Sequence, residues 1–206
     1  MANPNPVRFI KITVLCVIAA ILNHVIYPLL VPGLKLPLFA DTFFTAAVTF
    51  SAGLIPGLAT ALLTWIIGFT VKDDIITPFI LCSIAEVFII FFLRPAEVNT
   101  QTLNEGRKHA VFVSILARLM MLYITICIVI SILGGLIDYI FYSVLQNTKP
   151  DFSAEDAFKG WLIQGPFPVL AMNILSRLPV NLIDRFIVIL FGYFISRALV
   201  KIKIIK

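Results

Sequence analysis

Long apolar runs alternate with short polar stretches along almost the whole chain. The apolar segments cover residues 9–31, 40–54, 56–71, 75–93, 110–144 and 160–206. A helix needs about 20 apolar residues to cross the roughly 30 Å hydrocarbon core of a bilayer. The pattern therefore predicts an all-α, integral membrane bundle of six transmembrane helices that forms a single domain over residues 1–206.

Two parts of this pattern depart from regular spans. The second and third segments are short and are separated only by residues 53–57, which predicts a tight hairpin that is tilted or shielded by neighbouring helices. In the last region Pro166, Pro168 and Pro179 interrupt the apolar run. We predict a short extra helix, interfacial or re-entrant, over residues 160–176. The sixth span then covers 179–200, with Pro179 in its first turn, where proline is tolerated.

The composition supports the bilayer as the solvent of this chain. Of the 206 residues, 60% are hydrophobic and 13% are charged, whereas soluble domains are about 45–50% apolar and about 25% charged. The net charge is +5, but most basic residues lie at span ends. We therefore expect them to anchor the topology in a lipid bilayer, with no nucleic acid as partner.

The distribution of basic residues predicts the orientation. With six spans, the side that holds both termini carries Arg8, Lys11, Arg94, Arg107, Lys108, Arg197, Lys201, Lys203 and Lys206. Acidic residues on that side are Glu97 and Glu105, while the opposite loops are richer in acidic residues. The positive-inside rule then places both termini in the cytoplasm.

Motifs of the common enzyme classes are missing from the sequence. It contains no phosphate-binding P-loop, no GxSxG nucleophile elbow and no HExxH zinc motif. Cys16, Cys82 and Cys127 lie in apolar runs without the spacing of a disulfide or a metal site. We expect no enzymatic activity, no cofactor and no metal.

Two ionisable residues lie well inside apolar segments. Glu86 and Arg118 each lie about 12 Å from the cytoplasmic end of their segments, at about 1.5 Å per residue. Matched depth predicts a buried ion pair between them. The pair either locks two helices together or faces a ligand cavity, because intramembrane charges often mark functional sites.

A second polar group gathers at the outer ends of several segments. It is either a ligand cavity or an interfacial staple in which Asp41 caps its helix and pairs with Arg177 or Arg185. Trp65, inside the third segment, is the aromatic residue best placed to stack on a ligand. The substrate-binding candidates are Asn23, His24, Asp41, Trp65, Glu86, Arg118, Asn173, Arg177, Asn181 and Asp184.

Small residues crowd the hairpin of segments two and three. Gly53, Gly57 and Ala61 recur every four residues. Small faces let helices approach closely. The pattern predicts either internal packing or a docking surface for a partner membrane protein.

Residues 38–61, LFADTFFTAAVTFSAGLIPGLATA, resemble the second and third spans of the substrate-binding S components of energy-coupling factor (ECF) transporters, and residues 178–185, LPVNLIDR, resemble the start of the last span. The resemblance implies a subunit in a prokaryotic cell membrane that captures a vitamin or similar micronutrient outside and delivers it inward. It also implies a transmembrane coupling subunit and two cytoplasmic ATPase subunits as partners. Asp41 and residues 181–185 match motif positions, and residues 31–38 match the lid.

The chain departs from the family pattern in its first span. Members often dock through an Ala-x-x-x-Ala repeat there, whereas this segment offers only Ala19 and Ala20. This departure either argues against the usual docking surface in this chain or moves it to the small-residue hairpin. Two other functions stay open on the sequence alone: a membrane sensor module that signals through a separate partner, and a membrane-embedded enzyme that uses its buried charges.

Overall fold

The fold was analysed in a computed structural model, which describes residues 6–29, 38–39, 41–72, 78–96, 104–146 and 153–202. The described part of the chain is all-helical. Its helices are α1 (Pro6–Pro28), α2 (Phe43–Ala52), α3 (Leu54–Lys72), α4 (Ile80–Leu93), α5 (Glu105–Asp138), α6 (Ser153–Leu162) and α7 (Val169–Lys201). A π-helical turn, Tyr139–Val144, extends α5. The predicted lid lies outside the described residues apart from Leu38.

Three of these helices are long and apolar enough to cross a membrane. They are α1, α7 and α5 together with its π-helical extension. Many large apolar side chains point outward from them, such as Phe9, Phe112 and Phe194, which are each more than 60% exposed. The all-α prediction is confirmed, and these helices indicate a membrane-embedded protein. α2, α3 and α4 are shorter apolar helices.

The short helix α2 lies at the centre of the bundle. It packs against α1, α3, α4 and α7, and most of its residues are buried. Its small side chains permit this close packing: a Cβ added to Gly192 of α7 would lie 2.9 Å from the Cβ of Ala46. Because neighbouring helices shield α2 from lipid, it does not need the length of a complete apolar span. This accounts for the short second segment.

The hairpin between α2 and α3 is tighter than the sequence predicts. Gly53 alone separates the two helices, and its backbone has φ +96° and ψ −165°. This conformation is essentially restricted to glycine. The Gly53 amide donates the last helical hydrogen bond of α2, to the carbonyl of Thr49 3.1 Å away, and the positive φ of Gly53 then ends the helix.

A short extra helix precedes the last long helix, as predicted, but the predicted bounds of both helices are wrong. The extra helix is α6, which lies on α7, and α7 begins directly after Pro168 and runs through Pro179. Contacts with α5 hold α7 on both sides of this proline: Ile174 packs on Gly135 before it, and Asn181 bonds Ser131 after it. Such neighbours allow a proline inside a membrane helix.

Gly53→Ala tests the hairpin. We expect a loss of about 1–3 kcal/mol in the free energy of unfolding, because a Cβ is strained at this φ. Thermal unfolding in detergent measures it. The control is Gly106→Ala in the first turn of α5, where an added Cβ meets open space and should be neutral or slightly stabilising. Equal melting temperatures for the two variants would contradict the assigned backbone conformation.

Candidate functional site

A stripe of polar side chains runs along one face of α7. Four of its members recur every four residues (Asn173, Arg177, Asn181 and Arg185), and Ser176 and Asp184 each directly precede an arginine, so the six lie along one side of the helix. They are Asn173, Ser176, Arg177, Asn181, Asp184 and Arg185, and all are buried. Because burying a charge among apolar side chains is costly unless it is paired, the partners of the stripe determine how the bundle is assembled.

Arg185 is the centre of an ion network that joins three helices. Its Nη1 donates to the hydroxyl of Thr42, 2.7 Å away, and to the carboxylate of Glu86 in α4. Its Nη2 lies 2.9 Å from Asp184 and 3.5 Å from Asp41. The Thr42 hydroxyl lies 3.4 Å from Glu86 Oε1. One guanidinium is thus shared by three carboxylates.

A second buried pair lies about two helical turns away on the same stripe. Arg177 donates from Nε to Asp138 Oδ2 at 2.9 Å, and its Nη2 lies 2.8 Å from the same oxygen. The guanidinium also lies 4.7 Å from the ring centre of Phe79. A Cβ on Gly134 would come within 2.8 Å of Arg177 Nη1, so glycine makes room for the arginine against α5.

The two asparagines of the stripe make contacts with other elements. Asn181 donates to the Ser131 hydroxyl at 2.8 Å, and Asn173 accepts from the ammonium of Lys159, which ties α6 to α7. Among the described residues, Asn181 Oδ1, Asn173 Nδ2, Asp138 Oδ1 and Arg185 Nε are buried without a hydrogen-bond partner. Buried polar atoms are normally bonded to protein or water, so the stripe retains unused polar capacity.

Asn23 ties α1 to the hairpin. Its Nδ2 donates to the hydroxyls of Thr45 and Thr64, at 3.0 and 3.1 Å, and its Oδ1 accepts from the Phe44 amide at 2.9 Å. These three bonds use both of its donors and one of the two acceptor positions of Oδ1. We therefore interpret Asn23 as a structural residue rather than a ligand contact.

A cavity of about 210 Å³ opens beside this bonded group. Its lining combines a carboxylate, an imidazole, hydroxyls and aromatic rings: His24, Asp41, Thr42, Thr45, Ala61, Thr64, Trp65, Gly68, Phe69, Phe79, Ile80 and Ser83. The volume is below the roughly 300–1,000 Å³ of pockets that take drug-sized molecules. The cavity therefore suits a small ligand.

Two lining residues have defined orientations. His24 Nε2 lies 2.6 Å from the carbonyl oxygen of Thr64, and its ring packs against Gly68, where a Cβ would lie 3.1 Å from Cε1. Trp65 stacks on Phe69 with ring centres 6.1 Å apart and an interplanar angle of 12°. The cavity thus has a polar side and an aromatic side.

The structure divides the predicted site residues into separate groups. His24, Asp41 and Trp65 line the cavity. The other candidates do not line the cavity. Four of them belong to the stripe, namely Asn173, Arg177, Asn181 and Asp184, and Glu86 belongs to the ion network. Of the two roles proposed for Asp41, the pairing with Arg185 is present, but Thr42 occupies the N-cap position of α2.

The predicted pairing of Glu86 with Arg118 is wrong. Glu86 is bound to Arg185, and Arg118 is exposed on the surface of α5. Matched depth gives the height of a residue in the membrane but not the direction in which it points around its helix. Arg118 is therefore removed from the substrate-binding candidates.

The predicted docking surface on Gly53, Gly57 and Ala61 is also wrong. All three residues are buried within the chain. A Cβ on Gly57 would collide with Thr49 and lie 3.0 Å from Val87 Cγ1, so this glycine allows α2, α3 and α4 to approach one another. Internal packing, the other interpretation of the pattern, is what the structure contains.

Several lining residues were missed at the sequence level. Thr42, Thr45, Thr64, Phe69, Phe79 and Ser83 all contribute to the wall. Helical spacing could have indicated some of them. Ala61, Trp65 and Gly68 are separated by four and three residues and therefore share a face of α3. Nothing in the local sequence around Phe79 indicates its position in the wall.

Arg185→Met tests the ion network. We expect the free energy of unfolding to fall by about 3–5 kcal/mol, because removing the cation leaves buried carboxylates unpaired. Thermal unfolding in detergent measures the change. Arg118→Met is the matched control, since Arg118 is exposed and should tolerate the same replacement. Equal stability of the two variants would contradict the central position of Arg185.

Comparisons of the chain with protein-family models, curated proteins and solved structures give no match. Its function is therefore inferred from the geometry of the site and from the sequence resemblance.

Proposed function

We propose that the chain is the substrate-binding S component of an ECF-type importer. In this proposal it lies in the cytoplasmic membrane of a prokaryote and binds a vitamin or similar micronutrient on the outer side. α1–α5 and α7 are its six spans, and α6 lies at the membrane surface. The observation that carries the proposal is the polar and aromatic cavity between α1, α2, α3 and α4, inside a bundle whose outer surface is apolar.

The position of the lining residues along their helices supports this orientation. His24 lies near the end of α1, Thr42 and Thr45 at the start of α2, Trp65–Phe69 towards the end of α3, and Phe79–Ser83 at the start of α4. With alternating spans and an N-terminus in the cytoplasm, all four positions lie at the outer end. A single-sided cavity of this kind is suited to capture from the outside.

The basic residues support the same orientation. Arg94 follows α4, Arg107 and Lys108 lie in the first turn of α5, and Lys201 ends α7. In the six-span arrangement these positions all lie at the end opposite to the cavity, where the positive-inside rule places the cytoplasm.

Delivery into the cell requires partners in this proposal. The sequence contains no P-loop with which to bind and hydrolyse ATP, so the energy has to come from separate subunits. A transmembrane coupling subunit and two cytoplasmic ATPases fill that role. A sensor module would use the same cavity but would transmit occupancy to a signalling partner instead.

Affinity purification in mild detergent from the native host separates these functions. We expect the tagged chain to recover a membrane coupling subunit together with ATPases that contain P-loops. An unrelated multispan membrane protein with the same tag is the control. Recovery of a histidine kinase or a cyclase instead would favour the sensor module, and recovery of neither class would contradict the proposal of a transport subunit.

Ala61→Phe tests whether the cavity holds the ligand. Ala61 is buried in the cavity wall, so a phenyl group there occupies space that a ligand would use. Mass spectrometry of the purified protein should show at least about a 10-fold loss of any small molecule that copurifies with the natural chain. Leu62→Phe is the control, because Leu62 is 44% exposed beside it. Equal ligand retention in the two variants would place the ligand elsewhere.

A further inference from the structure

The cavity wall combines negative charge with aromatic rings. Asp41 contributes a carboxylate, and Trp65, Phe69 and Phe79 contribute three rings. No lysine or arginine occurs among the lining residues in the described part of the chain. Aromatic faces attract cations, and tryptophan does so most strongly. The same composition gives an anion no fixed positive partner.

The two buried arginines lie behind the wall, where carboxylates already engage them. Arg177 is bound to Asp138 and lies over the ring of Phe79. Arg185 lies behind Asp41 and Thr42 and is bound to Glu86 and Asp184. Their positive charges are therefore directed towards protein groups rather than towards a ligand.

The Asp41 carboxylate is accessible from the cavity. Its carboxylate is the most distant of the three around Arg185, at 3.5 Å from Nη2 against 2.9 Å for Asp184. Its side chain is 51% exposed, whereas those of Arg185 and Glu86 are 5% and 2% exposed. A group that enters the cavity can therefore reach Asp41 without breaking the buried part of the network.

His24 contributes an imidazole ring to the same wall. Its Nε2 faces the carbonyl oxygen of Thr64, and a carbonyl only accepts, so Nε2 carries the proton in this hydrogen bond. In the neutral ring Nδ1 is then an acceptor. A carboxylate and an imidazole acceptor together suit a ligand that donates from a charged nitrogen.

We propose that the ligand of this cavity carries a positive charge, as an organic ammonium or a flat cationic heterocycle. Its charged nitrogen lies at Asp41, and its apolar part lies on Trp65 and Phe69. The inference rests on the proposed function, because it names the substrate class of that same cavity. It is a property of the purified subunit alone, so its test needs no coupling partner.

Three probes of similar size and different charge test the proposal: benzylammonium, benzyl alcohol and benzoate. The protein is placed in phosphatidylcholine nanodiscs, which carry no net charge, at constant ionic strength. A Trp161→Phe background leaves Trp65 as the single tryptophan of a chain that has two. Its fluorescence reports cavity binding, and Trp161, 74% exposed on α6, takes no part in the site.

Benzylammonium should bind at least about 10-fold more tightly than either other probe, the difference that a charge-assisted hydrogen bond supplies. Asp41→Asn should remove this preference while leaving the affinity for benzyl alcohol unchanged. Glu105→Gln is the matched control, because it removes one negative charge at the exposed start of α5. It should retain the full preference.

Two outcomes overturn the inference. One is that benzylammonium does not bind more tightly than benzoate and benzyl alcohol, including the case in which none of the probes binds. The other is that the preference survives Asp41→Asn in a variant with unchanged thermal unfolding. Neither outcome affects recovery of the coupling subunit and ATPases, so the substrate class and the proposed function fail separately.

Discussion

The ion network around Arg185 is the constraint on which the rest of the bundle depends. In a bilayer, apolar side chains gain little by leaving lipid for another helix, so apolar burial alone specifies helix pairing weakly. Arg185 bonds Thr42, 143 positions earlier, and Glu86, 99 positions earlier. A buried charge without its partner is strongly destabilising. The network therefore fixes the positions of α2, α4 and α7 relative to one another along the helix axes.

Asp41 is the point at which this network meets the cavity. Its carboxylate pairs with Arg185 and also lines the cavity wall. The Thr42 hydroxyl beside it bonds the buried guanidinium and also lines the wall. These two residues, which directly precede α2, thus connect the ion network to the cavity wall.

The sequence predicts what depends on local hydrophobicity and chain geometry. Runs of apolar residues locate the helices, and the glycine-proline turn locates the hairpin, because both are properties of neighbouring residues. The direction of a side chain around its helix depends on which helices pack against it. That is why the depths of Glu86 and Arg118 led to a wrong pair, while the true partner, Arg185, lay in the stripe of α7. The course of α7 through Pro179 likewise depends on α5, through Gly135 and Ser131.

The described part of the cavity lining divides the bundle into two functional halves. All of these lining residues come from α1 to α4 or the chain directly before α2 and α4, and none comes from α5 or α7. The other half, formed by α5 and α7, instead contributes close helix–helix contacts: Gly134 accommodates Arg177, and Gly135 approaches the backbone of Ile174. The buried Asn181 and the Arg177–Asp138 ion pair add directional bonds to that contact. A helix pair joined in this way holds Arg185 in place behind the cavity, and Arg185 in turn holds Asp41 at the wall that α1 to α4 form.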